Sequence, residues 1–152
     1  MSTFLGNIEV KADDKGRIFV PATYRRILAE MGSKRLVIRR DTDNECLIFY
    51  PEQVWNEKVS GLRAVLDEWD PEDEMLLMQF MSEADFLETD AQGRVLLNKQ
   101  NMSLVGGKDL VFVGMYDRFA LWSASTFEEH KVNPSDLAAA IRSKIATRKN
   151  NG

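Results

Sequence analysis

"DDKGRIFVP" (residues 13–21) opens on two acids and then sets a cation on each side of a glycine; the chain repeats the shape as "DAQGRVLLN" (90–98). In each corner the aspartate can accept hydrogen bonds from amides one or two residues on, which fixes a turn. The glycine can take a positive φ that other residues resist. The arginine, four places after the aspartate, either pairs with that carboxylate or reaches outward with its planar fork. A brace accounts for Asp13 with Arg17 and for Asp90 with Arg94. It does not require Lys15 or the cations that surround the first corner.

The repeat extends beyond the corners. With residue 13 laid on residue 90, Gly16 meets Gly93, Arg17 meets Arg94, Ile18 meets Val95 and Val20 meets Leu97. After a small deletion "GSKRLVI" (32–38) matches "GGKDLVF" (106–112), and "CLIFYPEQVW" (46–55) parallels "FALWSASTFE" (119–128). Each half therefore reads strand, glycine corner, strand, short helix, strand, strand, helix. Pro21 suits the first turn of "PATYRRILAEM", with Gly32 ending that helix. "KRLVIRR" and "ECLIFY" read as strands joined by the polar turn "DTDN". Pro51 opens a helix whose Val54, Trp55, Val59, Leu62 and Leu66 share a face. "WDP" ends it, "PEDEMLLMQFM" forms a linking helix, and "NPSDLAAAIRSKI" forms a terminal helix. "ATRKNNG" is expected to be a frayed basic tail. The organisation expected is a first half at 1–70, a second at 71–130, and a helix with a basic tail at 131–152.

At 152 residues the chain is one compact unit or two very small ones, and halves this short would have to share a core. No apolar run approaches bilayer length, and the first residues lack the pattern of a secretory signal. One cysteine, Cys46, allows no internal disulfide and suits a reducing cytoplasm. One histidine, His130, poorly supplies a metal or proton-transfer site. The net charge is −4, but the charges are segregated. From Lys11 to Arg40 there are nine cations and three acids, while Asp67 to Asp90 holds ten acids and no cation. That asymmetry predicts one positive face for a polyanion and another that avoids it.

The two corners, "DDKGRIFVPATYRRIL" and "DAQGRVLL", together with the later "CLIFYPEQVW" and "FALWSASTFEEH", resemble the signature segments of the MraZ family. That bacterial family is built from two AbrB-like (SpoVT-AbrB) halves, and the resemblance runs to about His130. It implies an α+β fold with a pseudo-two-fold β-barrel formed by the tandem halves and flanking helices. It also implies a non-enzymatic, cytoplasmic, nucleoid-associated regulator without cofactor or metal. Such a protein binds double-stranded DNA at repeated promoter boxes of the division and cell-wall gene cluster, as a homo-oligomeric, octamer-like ring. Carried over by position, Lys15, Gly16, Arg17 and Arg94 are the DNA-binding residues, and Asp13, Asp90 and Gly93 brace the corners. The basic helix face of Tyr24, Arg25 and Arg26 is not repeated after the second corner, where Asn98 and Met102 stand. Arg17 is therefore expected to matter more than Arg94.

Other functions have less to rest on. Tandem halves of this kind also build double-psi-barrel enzymes and protein-docking scaffolds, and single-repeat AbrB-like antitoxins share the corner. An enzyme needs a nucleophile, base or metal in a cleft, and no such constellation is legible. "DEWDPEDE" (67–74) has oxygen donors but neither the spacing nor the glycine of a calcium loop. Met75, Met78 and Met81 have helical spacing for packing on the barrel or a neighbouring subunit. Trp55, Trp69 and Trp122 read as core or interface anchors, Cys46 as a buried strand residue, and His130 as unconnected to Ser123 or Ser125.

Overall fold

The computed structural model describes residues 3–33, 35–41 and 43–151. The expected order of elements is present in both halves. The first half contains β1 (Asn7–Lys11), β2 (Arg17–Phe19), α1 (Ala22–Glu30), β3 (Leu36–Arg40), β4 (Leu47–Pro51) and α2 (Glu52–Val65). α3 (Pro71–Ser82) leads into β5 (Ala84–Leu87), β6 (Arg94–Leu96), α4 (Lys99–Val105), β7 (Asp109–Gly114), β8 (Phe119–Ser123) and α5 (Ala124–His130). α6 (Pro134–Asn151) ends the chain. The fold is α+β, with antiparallel sheets and six helices among the described residues. None of those helices is long and apolar enough to cross a membrane.

The halves are interleaved rather than adjacent. The large sheet runs β1-β7-β8-β4-β3-β5, so the first strand of each half pairs with the other half. Asn7 lies opposite Val113, and Ala84 lies opposite Arg39, the same pairing under the repeat. A pseudo-two-fold axis passes between Ile48 and Ala120 in the large sheet and between Ile18 and Val95 in the ribbon that β2 makes with β6. The strands do not pair into a closed barrel. β2 and β6 are three residues each, and the corners turn them out of the large sheet to pair with one another. Strand register also shifts one match. Pro51 and Ser123 occupy equivalent places, so Tyr50 corresponds to Trp122 and Trp55 to Phe127, one residue away from the match of Cys46 with Phe119.

Alternation along the strands fills two apolar layers. One side chain set (Leu36, Ile38, Phe49, Phe112, Phe119) faces the ribbon, α1 and α4, where Ile18, Val20, Val95 and Leu97 close the core. The other set (Val37, Ile48, Tyr50, Val111, Trp122) is covered by Trp55 of α2 with Phe80 and Phe127 packed beside it. Phe119 sits at the centre of the first layer, with the Phe4, Tyr24, Phe49 and Phe112 rings within 5.5 Å of its own. Each such fully buried side chain contributes roughly 1.5–3 kcal/mol relative to exposure.

Three local expectations change. Tyr24 is 2 % exposed and donates its hydroxyl to Leu5 O at 3.0 Å, so it belongs to the core and not to a basic face. Trp69 is 85 % exposed, which excludes the core half of its expected role as a core or interface anchor. The terminal helix continues through residues 146–151 instead of fraying. Ala146, Arg148 and Lys149 favour helix, and the two cations suit the negative end of its dipole.

Candidate nucleic-acid interface

Both corners have the same geometry. At the first, Asp13 Oδ1 accepts the amides of Lys15 and Arg17, each at 2.9 Å, while Oδ2 accepts Arg17 Nε at 2.6 Å. At the second, Asp90 Oδ1 accepts the amides of Gln92 and Arg94, each at 2.9 Å, and Oδ2 accepts Arg94 Nε at 2.9 Å. Gly16 and Gly93 carry φ of +84° and +83°. The amide of Arg17, followed by its guanidinium and the amide of Lys15, holds the Asp13 carboxyl down at about 2. The Arg94 amide and guanidinium lower Asp90 in the same direction. Each aspartate is thus a charged clamp on the Nε edge of its arginine. Among the described residues neither arginine has an acceptor on its Nη atoms, the edge that makes bidentate contacts to phosphate or guanine.

The ribbon fixes where these forks stand. Gly16 O accepts the Leu97 amide at 2.9 Å and Gly93 O accepts the Val20 amide at 3.0 Å, so the corners close opposite ends of β2–β6. Ile18 and Val95 point into the core, and Arg17, Phe19, Arg94 and Leu96 alternate onto the other face. Phe19 lies opposite Arg94 and Leu96 opposite Arg17. Phe19 and Leu96 are 54 % and 58 % exposed, and the Arg94 guanidinium carbon lies 5.9 Å from the Phe19 ring centre. Sequence reasoning missed this apolar pair. The signal was available: in a strand, position i+2 after each arginine shares its face.

The flanking helices cross over. A Cβ on Gly93 would lie 2.7 Å from Arg25 Nη1, whereas a Cβ on Gly16 would lie 3.3 Å from Met102 Cγ. Arg25, on α1 of the first half, therefore covers the second corner, and Met102, on α4, covers the first. Arg25 Nε also donates to Val20 O at 3.0 Å. The basic Arg25 thus stands against the second corner, so the lack of a basic helix after that corner does not by itself favour Arg17 over Arg94. The first corner instead borders a groove whose lining includes Asp13, Asp14, Lys15, Lys99, Met102 and Lys108. Of these, Lys108 pairs with Asp14.

The positive stretch does not form one face. Arg35 pairs with Glu52 at 2.7 Å and stacks over Phe86, and Arg39, 8 % exposed, pairs with Glu83 and stacks over Phe80. Both are committed to carboxylates and rings within the fold. Lys34 lies outside the described residues. Elsewhere, Ser123 and Ser125 hydroxyls share a 3.2 Å hydrogen bond, and His130 Nδ1 lies 2.8 Å from Thr126 O.

Comparison with known proteins agrees with the duplicated corner. The family model described as "MraZ protein, putative antitoxin-like" matches residues 3–77 and again 80–144. A protein named transcriptional regulator MraZ from Bacteroides thetaiotaomicron is 37 % identical over 142 residues, covering 93 % of this chain and 91 % of its own. The proteins of that name from Phocaeicola vulgatus and Haemophilus influenzae are 35 % and 34 % identical, over 97 % and 79 % of this chain and 96 % and 80 % of theirs. With a model matched twice in tandem and relatives aligned along nearly their full length, the chain belongs to the MraZ family of transcriptional regulators, which are not enzymes.

Proposed function

We propose that this protein binds double-stranded DNA through the outer face of the β2–β6 ribbon, with Arg17 and Arg94 as paired forks and Lys15 beside the first. The observation that carries this reading is the pair of carboxylate-clamped arginines at opposite ends of one ribbon, related by the pseudo-two-fold axis, with their Nη edges unoccupied among the described residues. Asp13 and Asp90 hold the guanidinium planes in place before DNA arrives, so less side-chain freedom is lost on binding. Along the ribbon the two arginines are offset by two residues, about 7 Å. Both forks then fall within the roughly 12 Å width of a major groove, which admits a two-stranded ribbon. Phe19 and Leu96, between them, suit contact with thymine methyl groups. The Gly16 and Gly93 turns let the backbone reverse tightly at the ribbon ends.

The targets are repeated boxes upstream of the division and cell-wall genes, the protein's own gene included, in the cytoplasm at the nucleoid. One ribbon offers two forks, and a good bidentate base contact is worth about 1–3 kcal/mol, too little for specific regulation by an acidic monomer. A homo-oligomeric ring presents several ribbons, so after the first box the next is met at raised effective concentration. The test is fluorescence anisotropy with duplexes from the DNA upstream of this gene, against unrelated duplexes of the same length. Specific binding that weakens steeply with salt supports the reading. Equal, weak affinity for both duplexes refutes it.

A further inference from the structure

Two helix faces in this chain are apolar, exposed and opposite in charge. α6 carries Leu137, Ile141 and Ile145 at four-residue spacing, 51 %, 51 % and 52 % exposed, which puts them on one stripe. Among the described residues, none of α6 belongs to either core cluster. α3 carries Met75, Met78 and Met81 at three-residue spacing, 56 %, 57 % and 40 % exposed. Its inner side is already spent: Phe80 stacks flat on Trp55 at 5.6 Å and lies under Arg39.

Charge distinguishes the two helices. From Arg142 onward α6 has four cations and no acid. From Asp67 to Glu74, at the start of α3, the chain has six acids and no cation. The cations sit at the negative end of one helix dipole and the acids at the positive end of the other, so an antiparallel pairing brings opposite charges and opposite dipole ends together.

We infer that α6 of one copy docks antiparallel along the outer face of α3 in a second copy of this chain. Ile145 lies beside Met75, Ile141 beside Met78 and Leu137 beside Met81. At 1.5 Å per residue the stripes measure about 12 Å and 9 Å, so one register aligns them. That register brings Arg148 and Lys149 to Glu72 and Glu74. Unbranched methionines fit themselves to the branched isoleucines. The joint is heterologous: each copy gives an α6 and receives one on α3, and such contacts propagate until a ring closes. The inference rests on the oligomer in the reading above and not on its DNA contacts.

Sedimentation velocity of the full-length protein tests it, with far- and near-ultraviolet circular dichroism to confirm folding. Ile141→Glu spoils the donor stripe and Met78→Glu the acceptor stripe; both positions are exposed, so the fold survives. Each variant alone is expected to sediment as a monomer at micromolar concentrations where the unaltered protein is oligomeric. An equimolar mixture of the two is expected to form dimers and nothing larger, since only one intact donor meets one intact acceptor. Arg148→Glu with Lys149→Glu should weaken assembly at low salt, and adding Glu72→Lys with Glu74→Lys should restore it. An unaltered protein that is monomeric overturns the oligomer itself. Oligomeric variants, or a mixture that stays monomeric, overturn this joint and leave the ring reading standing.

Discussion

Adding one methyl group to each corner glycine separates two environments that the sequence presents as equal. Both glycines hold a left-handed φ, +84° and +83°, so alanine at either carries the same backbone penalty, about 1–2 kcal/mol. The space around them differs. At Gly16 the new Cβ would lie 2.8 Å from Leu97 O, a backbone atom fixed by the Leu97 amide bond to Gly16 O at 2.9 Å. At Gly93 the nearest atoms, at 2.7–2.9 Å, belong to the Arg25 side chain, which can swing away. Forcing a methyl group against packed structure adds about 1–3 kcal/mol, and that addition falls chiefly on Gly16, where the nearest atom is backbone. Gly16→Ala should therefore destabilise by about 2–5 kcal/mol and Gly93→Ala by about 1–2 kcal/mol. Urea denaturation at fixed pH measures both, and a difference of about 2 kcal/mol also appears as roughly 4–8 °C in Tm. Equal losses, or a larger loss at Gly93, would refute the contrast between a fixed backbone neighbour at Gly16 and a yielding side chain at Gly93.

Other outcomes are expected. Arg17→Ala and Arg94→Ala should each lower DNA affinity by about tenfold or more, at 1–3 kcal/mol per fork, with folding intact; titrations at one salt concentration should place them within a few-fold of each other. The folded-state pKa of Asp13 lies near 2, below its ordinary 3.8. Its contribution to stability is thus complete above about pH 4 and lost as pH falls toward 2, and Asp13→Asn should flatten that part of a stability–pH curve. Phe119→Ala removes the ring at the centre of the ribbon-facing core and should cost about 3–5 kcal/mol in denaturant unfolding. Burial pushes the Cys46 thiol up to about 12, so iodoacetamide at pH 8 should label it only at the rate of unfolding, as mass spectrometry would show.

Local chemistry made the order of elements legible. Pro21, Pro51, Pro71 and Pro134 mark helix starts, glycines mark corners, and strand alternation assigns Ile18 and Val95 to the inside. The aspartate clamp was legible too, because a carboxylate four residues before an arginine across a turn has few other partners. What the chain could not disclose by itself was pairing between distant segments. β1 pairs with β7 and β5 with β3, and this exchange carries each short helix to the other half's corner. A linear reading places Arg25 after the first corner, whereas its guanidinium lies against Gly93 of the second. It also counted Arg35 and Arg39 as surface charge, although they face Glu52 and Glu83 across the fold. Trp69 is settled only in part: a large aromatic side chain is a core anchor only if some element comes back to cover it, and at 85 % exposed it is not covered among the described residues.

The central claim is that the two clamped arginines are the DNA-contacting groups, and the salt dependence of binding by an Arg17→Ala, Arg94→Ala double variant tests it most directly. The probe is a duplex from the upstream DNA, titrated at several salt concentrations beside the unaltered protein, with the variant shown by circular dichroism to be folded. Each phosphate contact contributes about −0.9 to the slope of log affinity against log salt. If the ribbon is the interface, the double variant loses specific binding and its residual slope is shallower. A folded double variant with the affinity and slope of the unaltered protein would contradict the account and place the interface elsewhere on the molecule.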